Sequence, residues 1–234
     1  MVMIHRQTRR GKPLNAYLAA PAGGRDLPGV VVIHELFGLN DHIKSVADRF
    51  ADHGYAALAV DLLGDRRQRL CVVRLFAGLV VRPRSNRALK EIRDGVRWLQ
   101  RQPNVDSGKI GVIGFCMGGG FALAVACVDD QVKASSAFYG LTPRPVSMFA
   151  HACPIVASYG EEDQFFVKRL PKLRNALDEY AVPHDVEVYP NAGHAFFNDT
   201  LDTYRPEAAE DAWRRTLDFF QEHLGIDPAR PSAG

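Results

Sequence analysis

Cysteine is scarce in this chain, and its four copies, Cys71, Cys116, Cys127 and Cys153, show no CxxC and no paired spacing. That argues against a zinc site and against a disulfide framework, and it fits a reducing, cytoplasmic setting in which a free thiol survives. Long hydrophobic runs are absent as well. The apolar stretches are only of strand length, so no segment is a candidate to span a membrane. The N-terminal MVMIHRQTRRGK has no apolar core of the kind a secretory signal needs. Charge of one sign is missing too: 29 basic and 27 acidic residues leave a net charge of +2, which gives no footprint for nucleic acid. There is no internal repeat and no linker. The 234 residues, 47% of them apolar, are therefore expected to form one domain over 1–224 with a frayed tail at 225–234. A monomer is the default expectation.

What is present is an alternation of short apolar runs and amphipathic stretches. Val30 to His34, Ala56 to Val60, Ile110 to Phe115, Val132 to Tyr139, Pro154 to Tyr159 and Asp185 to Tyr189 look like strands, the first three of them buried. Met3 to Arg6 and Leu14 to Ala20 have the look of short edge strands. Helical spacing follows Asp41, the expected cap, in Ile43, Val46 and Phe50. It returns in Leu89, Ile92, Val96 and Leu99, over Val167 to Tyr180, and in Trp213, Leu217, Phe220 and Leu224. Leu62 to Ser85 is irregular and arginine-rich, with a short helix expected near Leu70 to Leu79. Such alternation predicts an α/β protein with a mostly parallel central sheet and helices on both faces.

The stretch Lys109 to Val128 organises the chain. Gly114-Phe115-Cys116-Met117-Gly118, between an apolar run and a helix, matches the nucleophile-elbow pattern G-x-Nu-x-G with cysteine as the nucleophile. At a helix N-terminus the free amides and the helix dipole favour an anion, which lowers the pKa of a thiol. Reactive groups in parallel α/β sheets gather at the carboxyl ends of the strands. Those ends carry Glu35, Asp61, Cys116, Tyr139, Asp163 and His194. The order nucleophile, acid, histidine is that of α/β-hydrolase triads, and Cys116, Asp163 and His194 satisfy it; Asp61 precedes the nucleophile and does not. Cys116 is then the attacking thiolate, His194 the proton carrier, and Asp163 the group that sets the tautomer of His194. The backbone amides of Met117 and Leu36 are the candidate oxyanion donors.

His34-Glu35-Leu36-Phe37-Gly38-Leu39-Asn40, the Cys116 elbow, Gly160-Glu161-Glu162-Asp163 and Ala192-Gly193-His194-Ala195-Phe196 together resemble the dienelactone hydrolases (carboxymethylenebutenolidases). The resemblance runs from about Leu14 to His223. It implies the α/β-hydrolase fold and hydrolysis of an enol-lactone or related ester by Cys116, His194 and Asp163 without metal or other cofactor. It also implies that Glu35 lies next to the cysteine and helps generate the thiolate when substrate binds. The match departs from the family in one respect. Members that act on dienelactone hold its carboxylate with arginines, one of them a turn past the catalytic histidine, where this chain has Asn198. A second arginine would come from Arg66 to Arg84, with Arg74 as a candidate. Phe37, Tyr139, Phe196 and Phe197 are candidates to line an apolar pocket. A broad carboxylesterase or a thiol peptidase on the same fold, and a noncatalytic ligand-binding or redox-sensing protein, are the alternatives. Retention of all three triad residues argues against pure binding, and the lack of a resolving cysteine near Cys116 argues against a redox sensor.

Overall fold

The computed structural model describes residues 2–7, 13–64 and 86–225, with side chains from Asn15 onward. The helix expected near Leu70 to Leu79, Cys71, Arg74 and the arginines from Arg66 to Arg84 lie outside the described residues, as does the tail beyond Gly225.

Eight strands form a single sheet in the order β1-β2-β4-β3-β5-β6-β7-β8. They are β1 (Val2–Gln7), β2 (Pro13–Ala19), β3 (Leu27–Ile33), β4 (Ala56–Val60), β5 (Val105–Phe115), β6 (Ala134–Phe138), β7 (Ile155–Gly160) and β8 (His184–Tyr189). Six strands from β4 to β8 run parallel, and β1 and β2 add an antiparallel edge. The α/β architecture read from the apolar runs is therefore present. The runs themselves have a physical cause: β3 and β4 are buried along their whole length, so no polar face interrupts them.

Among the described residues, five helices lie between strands, α1 (Asp41–Asp52), α2 (Arg87–Leu99), α3 (Met117–Ala126), α4 (Gln164–Val167) and α5 (Leu170–Glu179), and a sixth, α6 (Pro206–His223), follows β8. A 3-10 turn covers Val146–His151. The side chains of β5 show how both faces are covered. Ile110 lies beside Leu99 of α2 around Gly29, whereas Gly111 opens toward the ring of Phe220 in α6. Adjacent strand residues face opposite sides, so α2 and α6 cover opposite faces. On the α6 face, Phe50 of α1 packs against Trp213 and Phe220, with ring centroids 4.5 and 6.1 Å apart. All ten residues of α3 are buried against β5, β6 and α2, which explains its apolar circumference.

Two details differ from expectation. Asn40, not Asp41, caps α1: its side-chain oxygen accepts the Ile43 amide at 3.0 Å. Asp41 is the first helical residue, where a carboxylate favours the positive end of the helix dipole. The segment expected as one helix from Val167 to Tyr180 is two, α4 and α5, with Pro171 in the first turn of the second. Among the described residues no helix is long and apolar enough to cross a membrane.

Candidate active site

The strand order creates the site. From β3 the chain moves one way to β4 and then returns to the other side of β3 as β5 before continuing to β8. A crevice opens outside the carboxyl ends of two such neighbours, β3 and β5. Ile33 pairs with Gly114 and Phe115 with Phe138, so the loops carrying Glu35, Cys116 and Tyr139 leave the sheet side by side.

Cys116 stands between β5 and α3 with φ 53° and ψ −111°, a left-handed conformation that costs a non-glycine residue about 1–3 kcal/mol. The surrounding structure holds it there. Its amide donates to the Phe138 carbonyl at 3.0 Å, and its own carbonyl accepts the Gly120 amide at 3.2 Å. The flanking glycines are demanded by contact. A Cβ on Gly114 would overlap the Gly118 backbone, and one on Gly118 would overlap the Ile33 carbonyl oxygen. The first turn of α3 therefore lies directly against the end of β3. Met117 and the loop that carries Leu36 are brought to one place.

His194 follows β8 in a turn where Asn191 and Ala195 have positive φ. Its Nε2 is 3.0 Å from Cys116 Sγ and its Nδ1 is 2.5 Å from Asp163 Oδ2. The three residues, separated by 47 and 31 positions in sequence, thus meet in one chain of contacts. Asp163 begins α4 yet makes no side-chain cap; its carboxylate faces the histidine and is only 8% exposed, while Glu161 and Glu162 point to solvent. Phe166 stacks on the imidazole at 5.0 Å and Tyr139 lies 4.9 Å away on a tilted plane.

Burial of His194 opposes its charge, but the hydrogen bonds to Asp163 and Cys116 outweigh burial and push its pKa up to about 10. The imidazole is thus protonated at neutral pH. A pKa raised above the unfolded value of about 6.5 means stability that is full below that pH and lost as pH rises through about 10. The melting temperature of the wild type relative to His194→Gln is accordingly expected to fall between pH 7 and pH 10. A gap that stays constant over that range would contradict the assignment.

Glu35 is 2% exposed. Its Oε1 accepts the Tyr139 hydroxyl at 3.1 Å and its Oε2 accepts the Asn198 amide at 2.8 Å. Burial, and then Glu35 itself, hold the Tyr139 hydroxyl well above its usual pKa, and Cys116 adds to the effect. Tyr139 is therefore within electrostatic reach of both groups. In the sequence, Asn198 stands out only as the residue where dienelactone-cleaving members carry an arginine. It is in fact buried, with its own oxygen accepting the Thr200 amide at 3.1 Å and the Thr200 hydroxyl at 2.7 Å. The Asn-x-Thr turn pattern was the readable signal for it. Phe166 carried no such signal. Of the residues expected to line a pocket, Phe37 is 58% exposed, whereas Tyr139, Phe196 and Phe197 are buried. Phe196 packs between Tyr139 and Tyr189, and Phe197 against Phe115 and Phe138. Among the described residues no cluster of three or more His, Cys, Asp or Glu side chains is arranged to hold a metal ion.

The sequence model of the dienelactone hydrolase family matches residues 14–224. The chain belongs to the dienelactone hydrolase family. A "Putative carboxymethylenebutenolidase" of Yersinia pestis is 32% identical over 229 residues, spanning 92% of this chain and 85% of that protein. A Bradyrhizobium protein named as a probable 2-oxo-3-(5-oxofuran-2-ylidene)propanoate lactonase is 31% identical, over 92% of this chain and 91% of its own. Among solved structures, a dienelactone hydrolase-like promiscuous phosphotriesterase, P91, from metagenomic libraries superposes with a TM-score of 0.81 at 27% identity, covering 95% of this chain and 99% of that one. The dienelactone hydrolase membership and the α/β-hydrolase fold agree with the resemblance carried by the Cys116 elbow and the His34-Glu35 loop. The enzyme class is that of carboxylic ester hydrolases.

Proposed function

We propose that this dienelactone hydrolase-like enzyme cleaves a small lactone or ester through a thioester on Cys116, without a cofactor. The observation that carries the reading is the contact chain from Cys116 Sγ through His194 to Asp163, at 3.0 and 2.5 Å. The Cys116 thiolate attacks the acyl carbon, and the oxyanion formed accepts hydrogen bonds from the Leu36 and Met117 amides. Collapse breaks the bond to the alcohol or enol oxygen, which takes the proton from the His194 imidazolium. His194 then removes a proton from water, water attacks the thioester, and the carboxylic acid leaves as Cys116 is regenerated as a thiolate. Asp163 holds the imidazole with Nδ1 as donor throughout.

Glu35 is assigned the task of keeping the thiol ionised as substrate enters. Glu35→Gln retains a partner for Tyr139 and Asn198 but removes the proton acceptor. It is expected to slow the pre-steady-state acylation burst by about 10- to 100-fold. A burst of wild-type rate would remove Glu35 from the chemistry.

The lactone assignment draws on the names of the Yersinia and Bradyrhizobium relatives. Similarity to P91 favours a second reading, a broad-specificity esterase. Rates for dienelactone, neutral lactones, aryl esters and peptides separate the two. Preference for a cyclic enol ester supports the first reading, equal rates across the esters support the second, and no turnover of any of them overturns both.

A further inference from the structure

His34 is fully buried at the end of β3, and it is a residue with no part in the chemistry above. Its Nε2 lies 3.0 Å from the Leu62 amide, just past the end of the neighbouring strand β4. An amide can only donate, so Nε2 must be the unprotonated nitrogen. The ring proton of the neutral imidazole is then on Nδ1, which donates to the Glu35 carbonyl at 2.5 Å. Burial holds the His34 pKa below its usual value and keeps this neutral tautomer in place. Asp61 Oδ1, 3.9 Å from Nε2, is itself engaged by the Leu63 and Gly64 amides at 3.1 and 2.9 Å.

The carbonyl that His34 clamps shares a peptide plane with the amide of Leu36. In a trans peptide the C=O and N–H point in opposite directions within one rigid plane, so fixing the oxygen fixes the hydrogen. A hydrogen bond on the carbonyl also polarises the N–H of the same unit and strengthens it as a donor.

We propose that His34 is a positioning residue for the oxyanion hole: bridging from the Leu62 amide to the Glu35 carbonyl, it aims the Leu36 N–H at the developing oxyanion. The proposal rests on the reading of Cys116 as nucleophile and Leu36 as oxyanion donor. It explains why a histidine, with an acceptor and a donor on one rigid ring, ends a strand of otherwise apolar residues.

Two substitutions divide the two ends of the ring. His34→Gln reaches the Leu62 amide with its oxygen but places no donor at Nδ1. His34→Asn places a donor where Nδ1 was and leaves the Leu62 amide without its acceptor. With p-nitrophenyl acetate as the probe, His34→Gln is expected to lose about 10- to 100-fold in kcat, the scale of a displaced transition-state contact, with KM little changed. His34→Asn is expected to keep kcat within about 3-fold of wild type while its melting temperature falls. Alkylation of Cys116 by iodoacetamide forms no oxyanion and should proceed at the wild-type rate in both. Wild-type kcat in His34→Gln overturns the proposal. So do losses of kcat in both variants that track their melting temperatures or their alkylation rates, which would mark a structural staple. Failure of the underlying reading looks different: iodoacetamide would then leave the wild-type enzyme active.

Discussion

Cys116→Ala is expected to lower hydrolysis by about 10⁴-fold or more, because removal of the nucleophile removes the covalent route and leaves only binding and oxyanion stabilisation. The loss should appear in kcat and not in folding. The Cys116 side chain is only half-buried, and alanine inherits the same left-handed backbone without relieving it. Melting within a few degrees of wild type is therefore expected alongside the lost activity. Iodoacetamide supplies the positive counterpart. Cys127 is buried, donates to the Leu123 carbonyl at 3.2 Å, and has its thiol pKa pushed far up by that burial and by Cys153. Burial likewise pushes the Cys153 thiol up to about 12. Cys116 should be alkylated ahead of both, in step with loss of activity. Labelling of Cys127 first, or wild-type turnover in Cys116→Ala, would contradict the assignment.

Asp163→Asn is expected to cost about 10⁴-fold in kcat with the geometry preserved. The reason is the direction of one proton. The carboxylate can only accept, so it holds the hydrogen on His194 Nδ1 and leaves Nε2 to exchange a proton with Cys116 or the leaving oxygen. An asparagine at that position can donate its amide hydrogen to Nδ1. That stabilises the opposite tautomer, in which Nε2 carries a proton it cannot release to a neutral partner. Substitution also takes away the negative charge that favours the imidazolium. Glu161→Gln and Glu162→Gln serve as controls. Both side chains are exposed beside Asp163 and should leave kcat within about 2-fold of wild type. Comparable losses in all three variants would mean that the acidic turn acts through its net charge, not through Asp163.

The sequence showed the fold class clearly because β3 and β4 are buried on both faces, and continuous apolar runs are the mark of such strands. The proposed triad was legible for a related reason. Each member sits in a turn directly after a strand, where one rule about sheet edges applies to all of them. What stayed hidden was lateral order. Nothing in the chain says that β3 lies between β4 and β5, yet that arrangement is what brings the loop carrying Glu35 next to the turn carrying Cys116. Asn198 and His34 make hydrogen bonds to residues 163 and 1 positions away, which leave no periodic trace. The aromatic residues were misleading in another way. Phe37, Phe196 and Phe197 are alike in composition, and only packing separates an exposed ring from two buried ones.

The most direct test of the central claim is mass spectrometry of the Asp163→Asn enzyme quenched during turnover of p-nitrophenyl acetate. Slowed deacylation should leave one acetyl group, located by peptide fragmentation on Cys116. Acetyl on another residue, or hydrolysis with no covalent adduct at any time point, would contradict the account.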